Sequence, residues 1–393
     1  MKKVLIIGAG FLQRYVIRKA KQLGYYTLAV DGNPNAVGFA DADAYGVVNI
    51  VDQEAVLAFA RENRVDGVLT AATDYGVLAA SYTAGELGLR GLEYEAARRV
   101  KNKYQVRKCL YEAKADDTGL AHEVSAETDT VALAATITYP VMVKPCDGSG
   151  SRGASRVDRA EDFPAACREA MASSLTGRAT VEPFIHGREY GVESFVADGQ
   201  VHILGVLYKW MTEPPYYAEL GHALPSGLPG ETEAKVRRCV ETAIKALGIN
   251  FGSVNMDLLL TPEGGVHIID IGARMGGNLI GSHIIPLGTG VDYMANMIRG
   301  AVGDPVDFAP KTPAQPVATR LLALTPGVVT GLPDMDRYGS DRTIIEHHLA
   351  VGDTINEYHT NLDGCGYVVC TGADAPERAE DIKRQIDKAI VRG

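Results

Sequence analysis

Apolar residues recur along this chain in two rhythms. Lys3–Ile7 is a β-rich apolar run, and the stretch after it to Leu23 spaces its apolar positions as a helix does. Tyr26–Val30 repeats the strand pattern and ends in Asp31-Gly-Asn-Pro34, a turn. Asp66–Thr70 is a later strand. Alternating strand and helix over residues 1–95 predicts βαβ units, hence a parallel sheet with helices on both faces. Residues 96–117, rich in Lys, Arg and Glu, read as a helical connector, and 118–183 as an α+β segment with Gly-rich turns. From 184 to 300, strands alternate with helices such as Glu231–Leu247. Pro305 to Pro316 marks a boundary. The remainder is β-rich around Thr343–Val351 and Tyr367–Cys370 and closes with a helix at Ala375–Val391. The predicted class is therefore α/β followed by α+β.

One segment within this pattern carries chemistry. From Gly252 to Gly272, two apolar runs flank Pro262-Glu-Gly-Gly265, which predicts a β-hairpin. Pairing about that turn sets Leu260 opposite His267, Asp257 opposite Asp270 and Asn255 opposite Gly272. Directly opposed side chains on one face have Cβ atoms roughly 4.5–5.5 Å apart. Bare carboxylates at that distance repel, and a divalent cation held by oxygen ligands relieves the repulsion. The plainer alternative is one solvated aspartate and one helix-capping aspartate.

Composition narrows the class further. The 393 residues are 46% hydrophobic and 22% charged, with a formal charge of −10, which excludes a disordered chain. Acidic and basic residues are interspersed without a long Lys/Arg block, so no nucleic-acid partner is expected. No apolar run is long enough to span a bilayer, so no membrane partner is expected either. Lys2-Lys3 and the short apolar run after them read as a buried first strand rather than an export signal. The six cysteines form no CxxC or zinc set, and a reducing cytoplasm is the expected location.

Gly8-Ala-Gly10 with Asp31 invites a dinucleotide reading, but Gln13 stands where the third glycine of GxGxxG belongs. The turn is read as structural, or as part of a pocket for a small anion. A stronger signal is Tyr139 to Gly153, where a strand ends at Lys144 before a loop of Gly148, Ser149, Gly150, Ser151, Arg152 and Gly153. Such a loop presents backbone N–H groups and hydroxyls to phosphate oxygens, with Lys144 adding positive charge. It lacks the GxxxxGK[ST] spacing of a Walker A loop. In Thr180 to Glu193, Glu182 and Glu189 bracket a turn. A carboxylate there can accept paired hydrogen bonds from ribose hydroxyls, and free strand backbone can read an adenine edge.

Taken in order, Lys103, Lys144 with its glycine loop, Glu182/Glu189, Asp257/Asp270 and Arg274-Met-Gly-Gly277 resemble the ATP-grasp superfamily over the whole chain. The resemblance implies a pre-ATP-grasp parallel-sheet domain at 1–95 and an ATP-grasp domain at 96–304 with a mobile lid at about 118–181. A small C-terminal β-rich domain at 305–393 completes it. It implies ATP and Mg²⁺ (or Mn²⁺) as cofactors. Lys103 would contact phosphates and Lys144 both phosphate and adenine, and the backbone of Glu182, Pro183, Phe184 and Ile185 would read adenine. Glu189 would bind ribose, and Asp257 and Asp270 would hold the metal. Two positions depart from the family pattern. Asp270 stands where the family has Glu, and Gly272 where it has Asn. Asn255, opposite Gly272, is the expected substitute ligand.

Members of the family phosphorylate a carboxylate and let a nucleophile attack the acyl phosphate. The resemblance thus implies an ADP-forming carboxylate–amine ligase acting on a small acid such as an amino acid. Arg274 and the N–H groups of Gly276 and Gly277 are candidates to stabilise the acyl oxygen. Asp74, His222 and Arg320 are candidate substrate contacts, and a homodimer is what the family suggests. The alternatives are a bicarbonate-activating carboxylase or carbamoyl-phosphate-type enzyme, a non-catalytic nucleotide binder, and an NAD-dependent oxidoreductase that Gln13 disfavours.

Overall fold

The computed structural model describes residues 1–148, 153–214 and 216–393. The N-terminal segment forms a parallel sheet of β1 (Lys3–Ile7), β2 (Tyr26–Asp31), β3 (Ala44–Val47) and β4 (Gly67–Thr70), in spatial order β3-β2-β1-β4. Helix α1 (Gln13–Gln22) connects β1 to β2 and α2 (Gln53–Asn63) connects β3 to β4, and α3 (Val77–Glu86) follows β4. Alternate residues of β1 feed two cores, Leu5 and Ile7 on one face and Val4 and Ile6 on the other. Burial on both faces is what makes the strand continuously apolar.

The basic connector is two helices, α4 (Tyr94–Val100) and α5 (Lys103–Ala113), rather than one. Asn102 breaks it, because its side chain accepts the N–H of Gln105 and so starts a new helix. A small antiparallel sheet follows, built from β5 (His122–Val124), β6 (Val141–Pro145), β7 (Ser155–Val157) and β8 (Ala179–Pro183), in order β5-β8-β6-β7. Helices α6 (Thr130–Ala134) and α7 (Phe163–Ser173) cover it. It has its own core of Val143, Phe163, Cys167 and Val181.

The remaining strands centre on an eight-stranded sheet. Its first members are β9 (Arg188–Ala197), β10 (Gln200–Met211) and β11 (Glu219–Leu224), then α8 (Gly230–Ala246), β12 (Gly252–Leu260) and β13 (Val266–Gly272). Beyond α9 (Ile285–Thr289) and α10 (Tyr293–Ala301) come β14 (Val317–Leu321), β15 (Gly327–Gly331), β16 (Thr343–His347), β17 (Thr354–Ile355) and β18 (Gly366–Thr371). Helix α11 (Ala375–Ala389) and β19 (Val391–Arg392) end the chain. The large sheet runs β13-β12-β9-β10-β11-β14-β18-β16, while β17-β15-β19 is a separate small sheet. The segment from Glu219 is strand β11, held between β10 and β14.

The hairpin register is as expected at its functional end and corrected at its turn. Asn255 faces Gly272 and Asp257 faces Asp270, but Leu259, not Leu260, faces His267. A bulge after Asp257 leaves Ile269 without an opposite residue and shifts the turn half by one. The two core faces on either side of this sheet bury Val192, Val254, Met256 and Ile268 against α8, and Phe195, Met275 and Tyr293 against the first sheet. No helix among the described residues is long and apolar enough to cross a membrane.

Candidate active site

Three lysines converge on the hairpin from three directions. Lys103 opens α5, an unfavourable place for a cation because the helix dipole is positive there. Asp270 compensates by pairing with its ammonium, and this pairing holds the Lys103 pKa up against the pull of burial. The N–H of Lys103 donates to Cys146 O at 2.7 Å, which ties the start of α5 to the end of the β6 segment. Lys144, on β6, donates to Glu182 Oε2 at 3.1 Å and to Ile269 O at 3.3 Å. The bulge frees that carbonyl, so the irregularity in the hairpin receives the second lysine.

Lys209 is the third, and sequence reasoning passed over it. It lies on β10 with its side chain 1% exposed, 2.6 Å from Glu189 Oε1, 2.6 Å from Glu219 Oε1 and 2.8 Å from Asp257 Oδ1. These three carboxylates each place an oxygen within 4.8 Å of the others. Burial works against ionisation of Glu219, but Lys209 and His222 hold its carboxyl well below the usual range. Asp257 moves the other way: burial pushes its pKa up, Glu189 and Glu219 add to the rise, and Lys209 opposes it. A lysine inside the apolar run Val206-Leu-Tyr-Lys-Trp had to be buried and paired, and that was the available signal. The carboxylates gathered here are Glu189, Glu219 and Asp257, whereas Asp270 turns to Lys103 instead.

The structure places the other expected residues as follows. Glu182 is the penultimate residue of β8 and Glu189 the second residue of β9, so they flank the 184–187 connection. The N–H of Phe184 is donated to Pro140 O at 3.1 Å, while the Glu182 side chain serves Lys144. Gly148 lines a cleft with Asp74, Lys101, Lys103 and Asp270. Gly153 has φ +68°, and a Cβ there would lie 2.6 Å from Ser173, so only glycine fits. Ser149, Gly150, Ser151 and Arg152 lie outside the described residues.

Asn255 does not present a free oxygen. Its Oδ1 accepts from Arg274 Nη1 at 3.3 Å, and its Nδ2 donates to Glu193 Oε2 at 3.0 Å. Glu193 Oε1 accepts the N–H of Gly276 at 3.0 Å and the hydroxyl of Tyr293 at 2.6 Å. The Gly276 amide is thus directed inward and is taken up by Glu193, while Arg274, the other side chain expected at the oxyanion, is held by Asp74 and Asn255. Burial pushes the Glu193 pKa up to about 7, against the three donors that favour its ionised form.

The three expected substrate contacts separate. Asp74 meets Arg274 through two hydrogen bonds of 3.0 and 3.1 Å. His222 is fully buried behind Glu219, its Nε2 3.9 Å from Glu219 Oε2, with neither ring nitrogen hydrogen-bonded among the described residues. Arg320 points away: its Nε donates to Glu380 Oε2 on α11 at 2.8 Å, and its guanidinium stacks 3.4 Å over Trp210. The Gly8–Gly10 turn is closed from within, since Ala9 N–H donates to Asp31 Oδ2 at 2.8 Å and Gln13 donates to Ala71 O at 2.6 Å.

Residues 137–282 match the family model described as the ATP-grasp domain. The chain is 28% identical over 278 residues to the ATP-grasp enzyme fsqD of Aspergillus fumigatus, covering 61% of this chain and 46% of that protein. It is 30% identical over 201 residues to a D-alanine–D-alanine ligase of Geotalea uraniireducens, covering 49% of this chain and 63% of that one. It therefore spans less than two thirds of the length of these curated relatives. A crystal structure of an L-amino acid ligase from Bacillus licheniformis superposes with a TM-score of 0.82 at 22% identity, over 100% of this chain and 99% of that one. The family-model match of residues 137–282 runs from the strand of Lys144 through the β12–β13 hairpin to the turn after Arg274, so it is this stretch of the chain that matches the ATP-grasp domain.

Proposed function

We propose that this chain is a Mg-ATP-dependent ligase that joins a small carboxylic acid, an amino acid in the first instance, to an amine. The observation that carries the reading is the convergence of Lys103, Lys144 and Lys209 with the carboxylates of Glu182, Glu189, Glu219, Asp257 and Asp270 around one hairpin. So many paired charges are costly to assemble for stability alone. The carboxylate oxygens suit a hard divalent cation, and burial already strains Asp257 toward its neutral form, a strain that a divalent cation would relieve. Asp257 and Asp270 would hold Mg²⁺, with Glu219 near enough to Asp257 to join them. The ion would neutralise charge on the phosphates in transit.

Lys103 and Lys144 would exchange their carboxylate partners for phosphate oxygens. The 184–187 connection would face adenine and Glu189 the ribose. An oxygen of the substrate carboxylate attacks the terminal phosphorus of ATP, the bond to the bridging oxygen breaks, and ADP leaves. The amine nitrogen then attacks the acyl carbon, the acyl–oxygen bond to phosphate breaks, and the nitrogen loses its proton to solvent. Arg274 and the Gly277 N–H would stabilise the oxyanion between these events. Positioning and charge neutralisation supply most of such catalysis.

A panel of carboxylates and amines, L-amino acids first, scored for phosphate release with Mg-ATP tests the reading. Release that needs both an acid and an amine, with an amide product of matching mass, supports it. ATP binding with a flat panel would overturn it.

A further inference from the structure

The family pattern has asparagine where this chain has Gly272, and the structure shows what fills the space. A Cβ at Gly272 would lie 2.9 Å from Arg274 Cζ and 2.9 Å from Asp74 Oδ1. Side chains do not approach that closely, so any residue larger than glycine would force one or both of these side chains to shift. Asp74 comes from the loop between β4 and α3, about two hundred residues away in sequence. Its carboxylate takes the Nε and Nη2 edge of the guanidinium in the paired geometry that fixes orientation as well as charge. The remaining Nη1 is held by Asn255, which is itself locked to Glu193.

The approach of Asp74 is built into the backbone. Ala71 bridges to Met275 in parallel, and the N–H of Ala72 donates to Met275 O at 3.0 Å. Ala72 adopts φ +54° to make this turn, and Gln13 secures the Ala71 carbonyl from the other side. The first sheet is thereby stitched to the segment that carries Arg274.

We propose that Asp74 is a positioning residue, delivered by the first domain to orient Arg274, and that glycine at 272 is the condition for this contact. The departure from the family pattern is then an exchange rather than a loss. A side chain on the hairpin has given way to an aspartate–arginine pair that crosses from another domain. The role assigned to Arg274 rests on the ligase reading; the contact itself does not.

The test separates the two. In ligand-free protein, hydrogen exchange of the Arg274 Nε–H, assigned by its disappearance in Arg274→Lys, reports the contact directly. Asp74→Asn, which keeps the shape, and Gly272→Ala should each cut protection about 10- to 100-fold, the equivalent of one charge-assisted hydrogen bond. The double variant should lose no more than the worse single one, because both remove the same interaction. In phosphate release with Mg-ATP, both variants should lower kcat about 100-fold with KM for Mg-ATP nearly unchanged, as for a misplaced catalytic group. Unchanged protection in Asp74→Asn, or losses that multiply in the double variant, would overturn the proposal. So would turnover at the wild-type rate in Asp74→Asn. A flat substrate panel strikes the ligase reading and leaves the exchange measurement to decide this one.

Discussion

Lys209 Nζ lies 2.8 Å from Asp257 Oδ1, and the same ammonium holds Glu189 and Glu219. One buried cation therefore balances three carboxylates. Replacing it by methionine in Lys209→Met leaves them facing one another, and breaking a buried set in this way costs about 3 kcal/mol or more. Millimolar Mg²⁺ or Mn²⁺ should return part of that loss. Thermal melts in EDTA and in MgCl₂ are the measurement. A variant as stable as the parent in EDTA would show that the cluster needs no cation.

Lys144 reaches both Glu182 and the carbonyl of Ile269 from β6. If it turns to phosphate when nucleotide binds, Lys144→Met should weaken Mg-ADP binding about 10- to 100-fold, the worth of a charge-assisted hydrogen bond. Isothermal titration with Mg-ADP reads this without any knowledge of the acid or amine.

His222 gives the protein an acid limit. Burial pushes its pKa down to about 4, with Glu219 opposing and Lys209 and Arg320 adding. The unfolded chain takes up the proton near pH 6.5 and the folded chain only near 4, so this stability is complete above 6.5 and drains away as pH falls toward 4. The gap corresponds to about 3 kcal/mol. His222→Phe should flatten that part of the urea-denaturation profile between pH 7 and pH 4 by about this amount. Parallel profiles for the two proteins would refute it.

Arg107 and Asp116 form an ion pair whose side chains are 3% and 0% exposed. Asp116 also accepts the N–H of Ile268, so it pins the end of the α5 segment to the hairpin strand. Asp116→Ala strands the guanidinium and should cost about 3–5 kcal/mol. Equilibrium urea unfolding checks it, and a loss below 1 kcal/mol would mean that water satisfies Arg107.

Much of this was readable in residue order. The apolar runs of β1, β2 and β4 announce a parallel sheet because both their faces are buried. The facing of Asp257 and Asp270 follows from period-two geometry about a glycine turn. The bulge at Ile269 was not readable, since a one-residue insertion leaves the alternation of the flanking positions almost intact. The burial of Lys209 could be read from its apolar neighbours, but not its partners, because Glu189, Glu219 and Asp257 come from three other strands. Glu193 carries no signal of its own in sequence, because its partners Asn255, Gly276 and Tyr293 come from three later segments. Asp74 stands out in sequence as a candidate contact, but its partner Arg274 lies about two hundred residues away. Gly272 showed in sequence as a missing ligand, and only the structure shows what stands in its place.

The order in which strands join the large sheet has a practical outcome for anyone who would trim this chain. β11, which begins with Glu219, is flanked on one side by β10 and on the other by β14. Ending translation at the proline-rich stretch before β14 would strip one rail from β11 and leave its amide groups open to any passing strand. Such a fragment would retain Lys103, Lys144 and Lys209 and still clump, because the edge left bare is the strand that carries Glu219.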